Sequence, residues 1–310
     1  MDKIKVSFFG SSDFSIPTLK HILNDKDIEV KSIITMPPAE KNRGKKLSNN
    51  VVQDFAIQNG FNEKFIFTPQ TLKNNQELIN ILKNQQLDFI VVVAYGKIIT
   101  KSIIDLPKYE ILNLHPSNLP KYRGAAPIER AIENGENETC ICIMKVDVGL
   151  DTGDVAVRQN YKLDFNNFAS DIIPDIAENG AILMIDTIKK TINNEIKFEK
   201  QTEDGMIYAN KIEKKELFID LNDKNLDGLT IYNKIRAFNN SGCCYFLLNN
   251  IRVKIIKASF EKSINNNNYG FNKKTGNIYL KNGIIKPIIV QKEGKKPVNI
   301  KDFLNGLNNN

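Results

Sequence analysis

The residues best suited to chemistry lie in one run, Ile111-Leu112-Asn113-Leu114-His115-Pro116-Ser117-Asn118-Leu119-Pro120-Lys121-Tyr122-Arg123-Gly124-Ala125-Ala126-Pro127-Ile128. On a strand, where side chains alternate, Asn113 and His115 share a face, and Pro116 ends the ladder at the strand's carboxyl end. Open α/β sheets bind their ligands at that edge. An amide beside an imidazole there can hydrogen-bond a developing oxyanion, and the imidazole can also move a proton. The competing reading is a strand-end His and Asn that merely satisfy backbone groups. The chain has only two histidines, and the other, His21, falls in a plain helix where a surface role is expected.

A second cluster is Met144-Lys145-Val146-Asp147-Val148-Gly149-Leu150-Asp151-Thr152-Gly153-Asp154. Three aspartates with two glycines between them describe a tight acidic loop. Such a loop can be a plain turn or a cation site, but the closing Glu of an EF-hand is absent. The catalytic reading is that one Asp reaches His115, holds its ring and stabilises the imidazolium. The usual cofactor motifs are silent. Phe9-Gly10-Ser11-Ser12-Asp13 has one Gly where a dinucleotide fingerprint needs three, and neither a Walker-A nor a zinc-protease pattern occurs. No metal or nucleotide cofactor is expected.

The elements that must position these residues read as βαβ units. Strands are expected over 4–9, 28–35, 89–94 and 111–114, with a further apolar run over 141–146. Helices are expected over 15–23, with Pro17 in the first turn, then over 50–58, 76–83, near Ser102, over 127–133 and over 168–191. After residue 197 the texture changes. Polar Thr202-Glu203-Asp204-Gly205 makes a break, a helix over 229–238 follows, and short β runs over 245–248, 253–256, 278–280 and 284–290 suggest a small β-barrel. Asn265 to Asn268 reads as a solvated loop tip.

With 310 residues, 41% hydrophobic and 25% charged, the chain can bury a core and is not disordered. Its longest apolar run, from Phe89 to Tyr95, is far too short to span a bilayer. Cys140 and Cys142, and the adjacent Cys243 and Cys244, lack metal-finger or redox spacing, which fits reduced core thiols in a cytoplasmic protein. The net charge of +7 says little by itself. Clustering says more: Lys41, Arg43, Lys45 and Lys46 surround Gly44 in the connection after the second strand, either as a solvated charge run or as a grip on phosphates.

Taken together, N-L-H-P-S-x-L-P-x-Y-R-G-A-A-P-I followed by D-V-G-L-D-T-G-D closely resembles the methionyl-tRNA formyltransferases, within the wider family of 10-formyltetrahydrofolate-dependent formyltransferases. The segments Val91-Val92-Val93-Ala94-Tyr95-Gly96, Arg43-Gly44-Lys45-Lys46-Leu47, Ile235-Arg236-Ala237-Phe238-Asn239 and Gly294-Lys295-Lys296 extend the resemblance over nearly the whole chain. It implies a Rossmann-like catalytic domain over 1–205 and an OB-like, tRNA-binding β-barrel over 206–310. It implies that Asn113, His115 and Asp151 are the catalytic trio, that Ser117, Asn118, Leu119 and Pro120 contact the folate with Ile98 near the pterin, and that Lys41, Arg43, Lys45 and Lys46 contact tRNA. The formyl donor is then 10-formyltetrahydrofolate and the acceptor initiator methionyl-tRNA, handled by a monomer. Two other readings stay open: a sibling enzyme acting on a nucleotide-linked amino sugar, and a tRNA-binding protein without catalysis. Asn118 departs from the family's usual Leu, and Asn240-Ser241-Gly242-Cys243-Cys244-Tyr245 replaces a turn that often carries Pro and Trp.

Overall fold

The computed structural model describes residues 2–41, 46–263 and 269–308. They form two compact units, neither of them contiguous in sequence. The first takes the described residues of Met1–Ala125, Cys140–Tyr161 and Ile173–Tyr208, and the second those of Ala126–Thr139, Lys162–Ile172 and Ala209–Asn310. No helix among the described residues is long and apolar enough to cross a membrane.

The first unit is built on a seven-stranded sheet. Its strands are β1 (Ile4–Gly10), β2 (Ile28–Ile34), β3 (Ile66–Phe67), β4 (Phe89–Val93), β5 (Glu110–His115), β6 (Glu138–Lys145) and β7 (Val155–Lys162). Their spatial order is β7-β6-β5-β4-β1-β2-β3. The pairs β1/β2, β1/β4, β2/β3 and β4/β5 are parallel, whereas β6 runs antiparallel to β5. Strands covered on both faces need apolar side chains at every position, and β4, Phe-Ile-Val-Val-Val, is buried throughout. Helices α1 (Ile16–Asn24), α2 (Val51–Gln58), α3 (Gln76–Asn84) and α4 (Lys101–Ile104) lie between strands. Asn50 caps α2 by accepting the Val52 N–H at 2.9 Å, and Asn75 caps α3 by accepting that of Leu78 at 3.0 Å.

The strand order reverses between β1 and β4, the place where doubly wound sheets open a crevice. Here the protein's own hydrogen bonds stitch it shut. Ser11 Oγ donates to the carbonyls of Ala94 and Tyr95 at 2.9 and 2.7 Å, and Ser15 Oγ to that of Val93 at 2.6 Å. A Cβ at Gly10 would stand 2.8 Å from that of Ser15, so the glycine serves this stitch.

Strand β7 escapes sequence reading because Val-Ala-Val-Arg-Gln-Asn-Tyr-Lys at the sheet's edge keeps most of its side chains partly in water. The basic segment folds back on itself: Ala39–Lys41 pairs with Lys46–Ser48 as a short antiparallel hairpin, Lys41 opposite Lys46. Arg43 and Lys45 lie outside the described residues, as does the run from Asn265 to Asn268.

The second unit contains α5 (Pro127–Glu133), α7 (Gly228–Phe238), α8 (Ile300–Asn308) and an antiparallel sheet. The intervening long helix α6 (Ala169–Ile192) belongs to the first unit from Ile173 onward. The sheet's strands are β8 (Tyr245–Leu248), β9 (Ile251–Lys262), β10 (Gly270–Phe271), β11 (Ile278–Leu280), β12 (Gly283–Lys292) and β13 (Val298–Asn299). They run in the order β8-β9-β12-β11-β10, with β13 on β12. Strand β9 is much longer than its expected apolar centre over 253–256, and β12 slightly longer than 284–290, because charged and polar side chains continue the pairing beyond them. Val253, Ile255, Ile285 and Val290 are buried while Lys254 and Lys286 alternate with them on the more exposed face. Helix α8, absent from the sequence reading, follows directly on β13. The start of α7 presses on the start of β12: a Cβ on Gly228 would meet the Gly283 Cα at 2.8 Å.

Two arginines hold the non-contiguous pieces of this unit together. Arg130 of α5 makes a two-pronged contact with Glu216 at 2.8 and 3.0 Å and donates to the Asn210 carbonyl. Arg236 of α7 is 2% exposed. Its guanidinium donates to Asn233 Oδ1 at 3.0 Å and, at 3.4–3.5 Å, to the carbonyls of Asp164, Asn167 and Ile132. Tyr232 stacks on Phe260 and lies against Phe165 and Phe168. Replacing Arg236 by Leu strands those carbonyls and the Asn233 amide in a dry setting, and is expected to cost about 2–3 kcal/mol. Denaturant unfolding of the full-length variant checks this; an unchanged midpoint would show that the carbonyls find other donors.

Candidate active site

Strand β5 ends at His115, and its pairing with β6 sets Asn113 opposite Met144 and His115 opposite Cys142. Side chains of paired residues share a face. On β6 that face is closed by Cys140, Cys142 and Met144, buried with Leu119 and Val155. His115 therefore stands on an apolar floor and is itself 4% exposed. Cys142 Sγ donates to the Ser117 carbonyl at 3.0 Å. The hydrogen bond to Cys140, and burial, push its thiol well above the usual range, and burial pushes Cys244 up to about 12. These cysteines are unreactive filling.

Two loops fix the imidazole. The first follows β5. Tyr122, at a positive φ of 63°, turns its carbonyl to within 3.0 Å of His115 Nε2. A carbonyl only accepts, so Nε2 carries a proton and Nδ1 is the nitrogen left to face the second loop. The second is the acidic loop after β6. Of its three aspartates, Asp151 is the one beside the ring, with Oδ2 at 3.7 Å from Nδ1. The same oxygen accepts the Gly124 N–H at 2.8 Å, so the carboxylate is anchored by the residue two after Tyr122. Asp147 instead accepts its neighbour Val148's N–H, and Asp154 is tied through its carbonyl to the Lys145 N–H at 2.8 Å. The loop returns so closely to β6 that a Cβ on Gly153 would stand 2.1 Å from the Lys145 carbonyl oxygen.

Asn113 is half-buried, and its amide makes no hydrogen bond among the described residues. Of the trio it is the free donor, next to a histidine whose two ring nitrogens both face protein oxygens. The turn beyond His115 divides by side chain. Ser117 is buried and spends its hydroxyl on the Lys121 carbonyl at 2.7 Å, and Leu119 is 3% exposed in the apolar floor. Asn118 is exposed and Pro120 half-buried after a cis Leu119–Pro120 bond. Ile98, Val148 and Leu150 are 79%, 63% and 57% exposed. Val146, which leads into the acidic loop, packs on the cluster that contains Tyr95 and Ile99, so the loops bearing Ile98 and Val148 are neighbours. Lys97 Nζ, beside Ile98, donates to the carbonyls of Pro69 and Gln70, and burial lowers its pKa.

Among the described residues no group of three or more His, Cys, Asp or Glu side chains could hold a metal ion. His21, as expected for a surface residue, pairs with Glu178 at 2.7 Å. Lys41 and Lys46 are placed by the hairpin backbone alone. Sequence reading passes over the backbone roles of Tyr122 and Gly124, which no side-chain pattern announces. It also passes over Gln201, which joins the loop of Asp151 from 50 positions further along, at a site no motif marks.

Comparison with known proteins agrees with these features at the level of family. Residues 3–188 match the formyl transferase family and residues 211–308 the formyl transferase C-terminal domain. A methionyl-tRNA formyltransferase of Clostridium tetani is 35% identical over 307 residues, covering 98% of this chain and 96% of that protein. Among solved structures, the sugar 3N-formyl transferase WlaRD has a TM-score of 0.69 at 24% identity, covering 96% of this chain and all of that one. A methionyl-tRNA formyltransferase from Clostridium thermocellum has a TM-score of 0.55 at 19% identity, covering 83% of this chain and 93% of that one. Matched by both domain models and by a relative along nearly its whole length, the chain belongs to the formyl transferase family.

Proposed function

We propose that the chain transfers the formyl group of 10-formyltetrahydrofolate to the α-amino group of initiator methionyl-tRNA, with a Rossmann-like catalytic domain over 1–205 and an OB-like tRNA-binding domain over 206–310. The observation that carries the chemistry is the free Asn113 amide beside a histidine whose Nδ1 faces Asp151. The methionyl amine attacks the formyl carbon, a C–N bond forms, and the carbonyl electrons move onto oxygen. The Asn113 N–H donates to that oxyanion. The proton lost by the amine passes to Nδ1 of neutral His115 beside Asp151, the imidazolium so formed steadies the oxyanion, and the proton goes on to the folate nitrogen as the carbonyl re-forms and the bond from that nitrogen to the formyl carbon breaks. Exposed apolar Ile98, Val148 and Leu150 suit the flat pterin, with Asn118 and Pro120 on the adjoining turn.

The acceptor is argued from charge and from the relatives, which are methionyl-tRNA formyltransferases over their whole length. Lys41, Arg43, Lys45 and Lys46 suit phosphate contacts on the acceptor stem. On the second unit Lys254, Lys295 and Lys296 have no carboxylate within ion-pair distance among the described residues, whereas Lys257 and Lys286 approach Asp171 and Glu261. The amino-sugar reading is favoured only by structural neighbours under 25% identity, which speak for fold. A transfer assay with labelled donor decides between acceptors: formyl on methionyl-tRNA is expected, and formyl on a nucleotide-linked amino sugar would overturn the proposal.

His115→Ala is expected to lower turnover by roughly 10² to 10⁴, and Asp151→Asn to act in the same direction. Near-normal turnover in either variant removes the trio from the chemistry. Replacing Arg43, Lys45 and Lys46 together by Ala should raise the apparent KM for methionyl-tRNA and reduce its logarithmic salt slope by about one for each phosphate the segment no longer engages. A minimal amine acceptor should notice little; equal losses on both acceptors would mean that the segment serves folding or the catalytic centre.

A further inference from the structure

Gln201 is 8% exposed, and both ends of its amide are committed, one to the loop of Asp151 and the other to Arg123. Its Nε2 donates to the Asp151 carbonyl at 2.9 Å and to the Gly153 carbonyl at 2.7 Å, while its Oε1 accepts from Arg123 Nε at 3.0 Å. The neighbours dictate which end of the amide is which, since a guanidinium only donates and a carbonyl only accepts. Arg123 is 2% exposed and holds its other end with Met206 Sδ at 3.2 Å and Glu203 at 3.4 Å.

Arg123 stands between Tyr122, whose carbonyl accepts the hydrogen bond from His115 Nε2, and Gly124, whose N–H anchors Asp151. One amide thus fastens the segment 122–124 to the segment 151–153. Such a fastening has a clear task, because Asp151 sits at φ 51°, in the left-handed region that side chains other than glycine occupy less readily and that outside contacts help to hold. We propose that Gln201 is a positioning residue for formyl transfer, whose amide, oriented by Arg123, holds the Asp151 backbone so that the carboxylate faces His115 Nδ1. The proposal rests on reading Asp151 and His115 as the proton-handling pair. Gln201 itself is spent on backbone and Arg123, with nothing left over for substrate.

The test compares Gln201→Met, which removes every hydrogen bond at similar volume, with Gln201→Glu, which keeps the acceptor for Arg123 and loses both donors. Each is made in the full chain, alone and with Asp151→Asn, and thermal unfolding is followed beside kcat and both KM values. Each single Gln201 variant is expected to lose about 10- to 10²-fold in kcat, the scale of a reacting group displaced by an ångström, with KM for folate and for methionyl-tRNA within about threefold. In the Asp151→Asn background the further loss should stay below about twofold, because residues that act as a unit are not additive. Wild-type kcat, a loss confined to KM, or the same loss with and without the Asp151 carboxylate would overturn the proposal and leave Gln201 a structural residue. Full activity of Asp151→Asn alone would instead overturn the reading of the site, and the proposal with it. If Gln201→Met does not fold, Gln201→Glu carries the same comparison.

Discussion

The first unit is organised around the need to bring an acidic loop back onto the end of β5. His115 is fixed at one nitrogen by the Tyr122 carbonyl and faces Asp151 with the other, and Asp151 is in turn held by the Gly124 N–H. Two of these residues, Tyr122 and Asp151, have positive φ without being glycine. Backbone of that kind is tolerated where the surrounding contacts over-determine it. Here those contacts are the close return of Gly153 to Lys145, the antiparallel pairing of β6 with β5, and the buried amide of Gln201.

That dependence explains the direction of β6. A parallel strand would need a crossover before joining the sheet next to β5. An antiparallel one lets the chain reach the far end of β6 and fold straight back through residues 146–154. The face shared by Asn113 and His115 is then floored by Cys140, Cys142 and Met144. Dry filling under the histidine keeps water from one side of its contact with Asp151, and any charge that develops there interacts more strongly as the local dielectric falls. The buried thiols serve by volume, and that of Cys142 is held high in pKa by its hydrogen bond to Cys140 and by burial.

What can be read from the sequence follows from where the signal resides. Strand β4, the run around His115 and the glycine-spaced aspartates are legible because burial, strand alternation and tight turns leave marks on residue type. The edge strand β7 and the ends of β9 and β12 are not, because half their side chains face solvent and look like loop. Helix α8 is hidden for a related reason: its alternation of Asp, Asn, Lys, Leu and Phe is short and follows a polar stretch. At the site, side-chain chemistry is visible in Asn113, His115 and Asp151. The groups that aim it are backbone carbonyls and N–H groups, which every residue has, and one glutamine whose partners are brought to it only by the fold.

The second unit shows the same limit at the scale of domains. Its buried Arg236 has no carboxylate partner among the described residues and is satisfied by Asn233 and by carbonyls of residues 132, 164 and 167. A guanidinium in that position is costly to desolvate, and burial draws its pKa down. The unit accepts this because one planar group with five donors can collect carbonyls from pieces of chain that are far apart in sequence. Tyr232, Phe260, Phe165 and Phe168 add the apolar part of the same closure. A composition change near residue 205 marks where the β-rich texture begins, but the core of the unit also draws on α5 and residues 162–172. The first of those pieces leaves the first unit immediately after Ala125 and rejoins it at Cys140. The polypeptide that holds Tyr122 and Gly124 against the histidine therefore continues, one residue past Ala125, into the framework that Arg130 and Arg236 tie together.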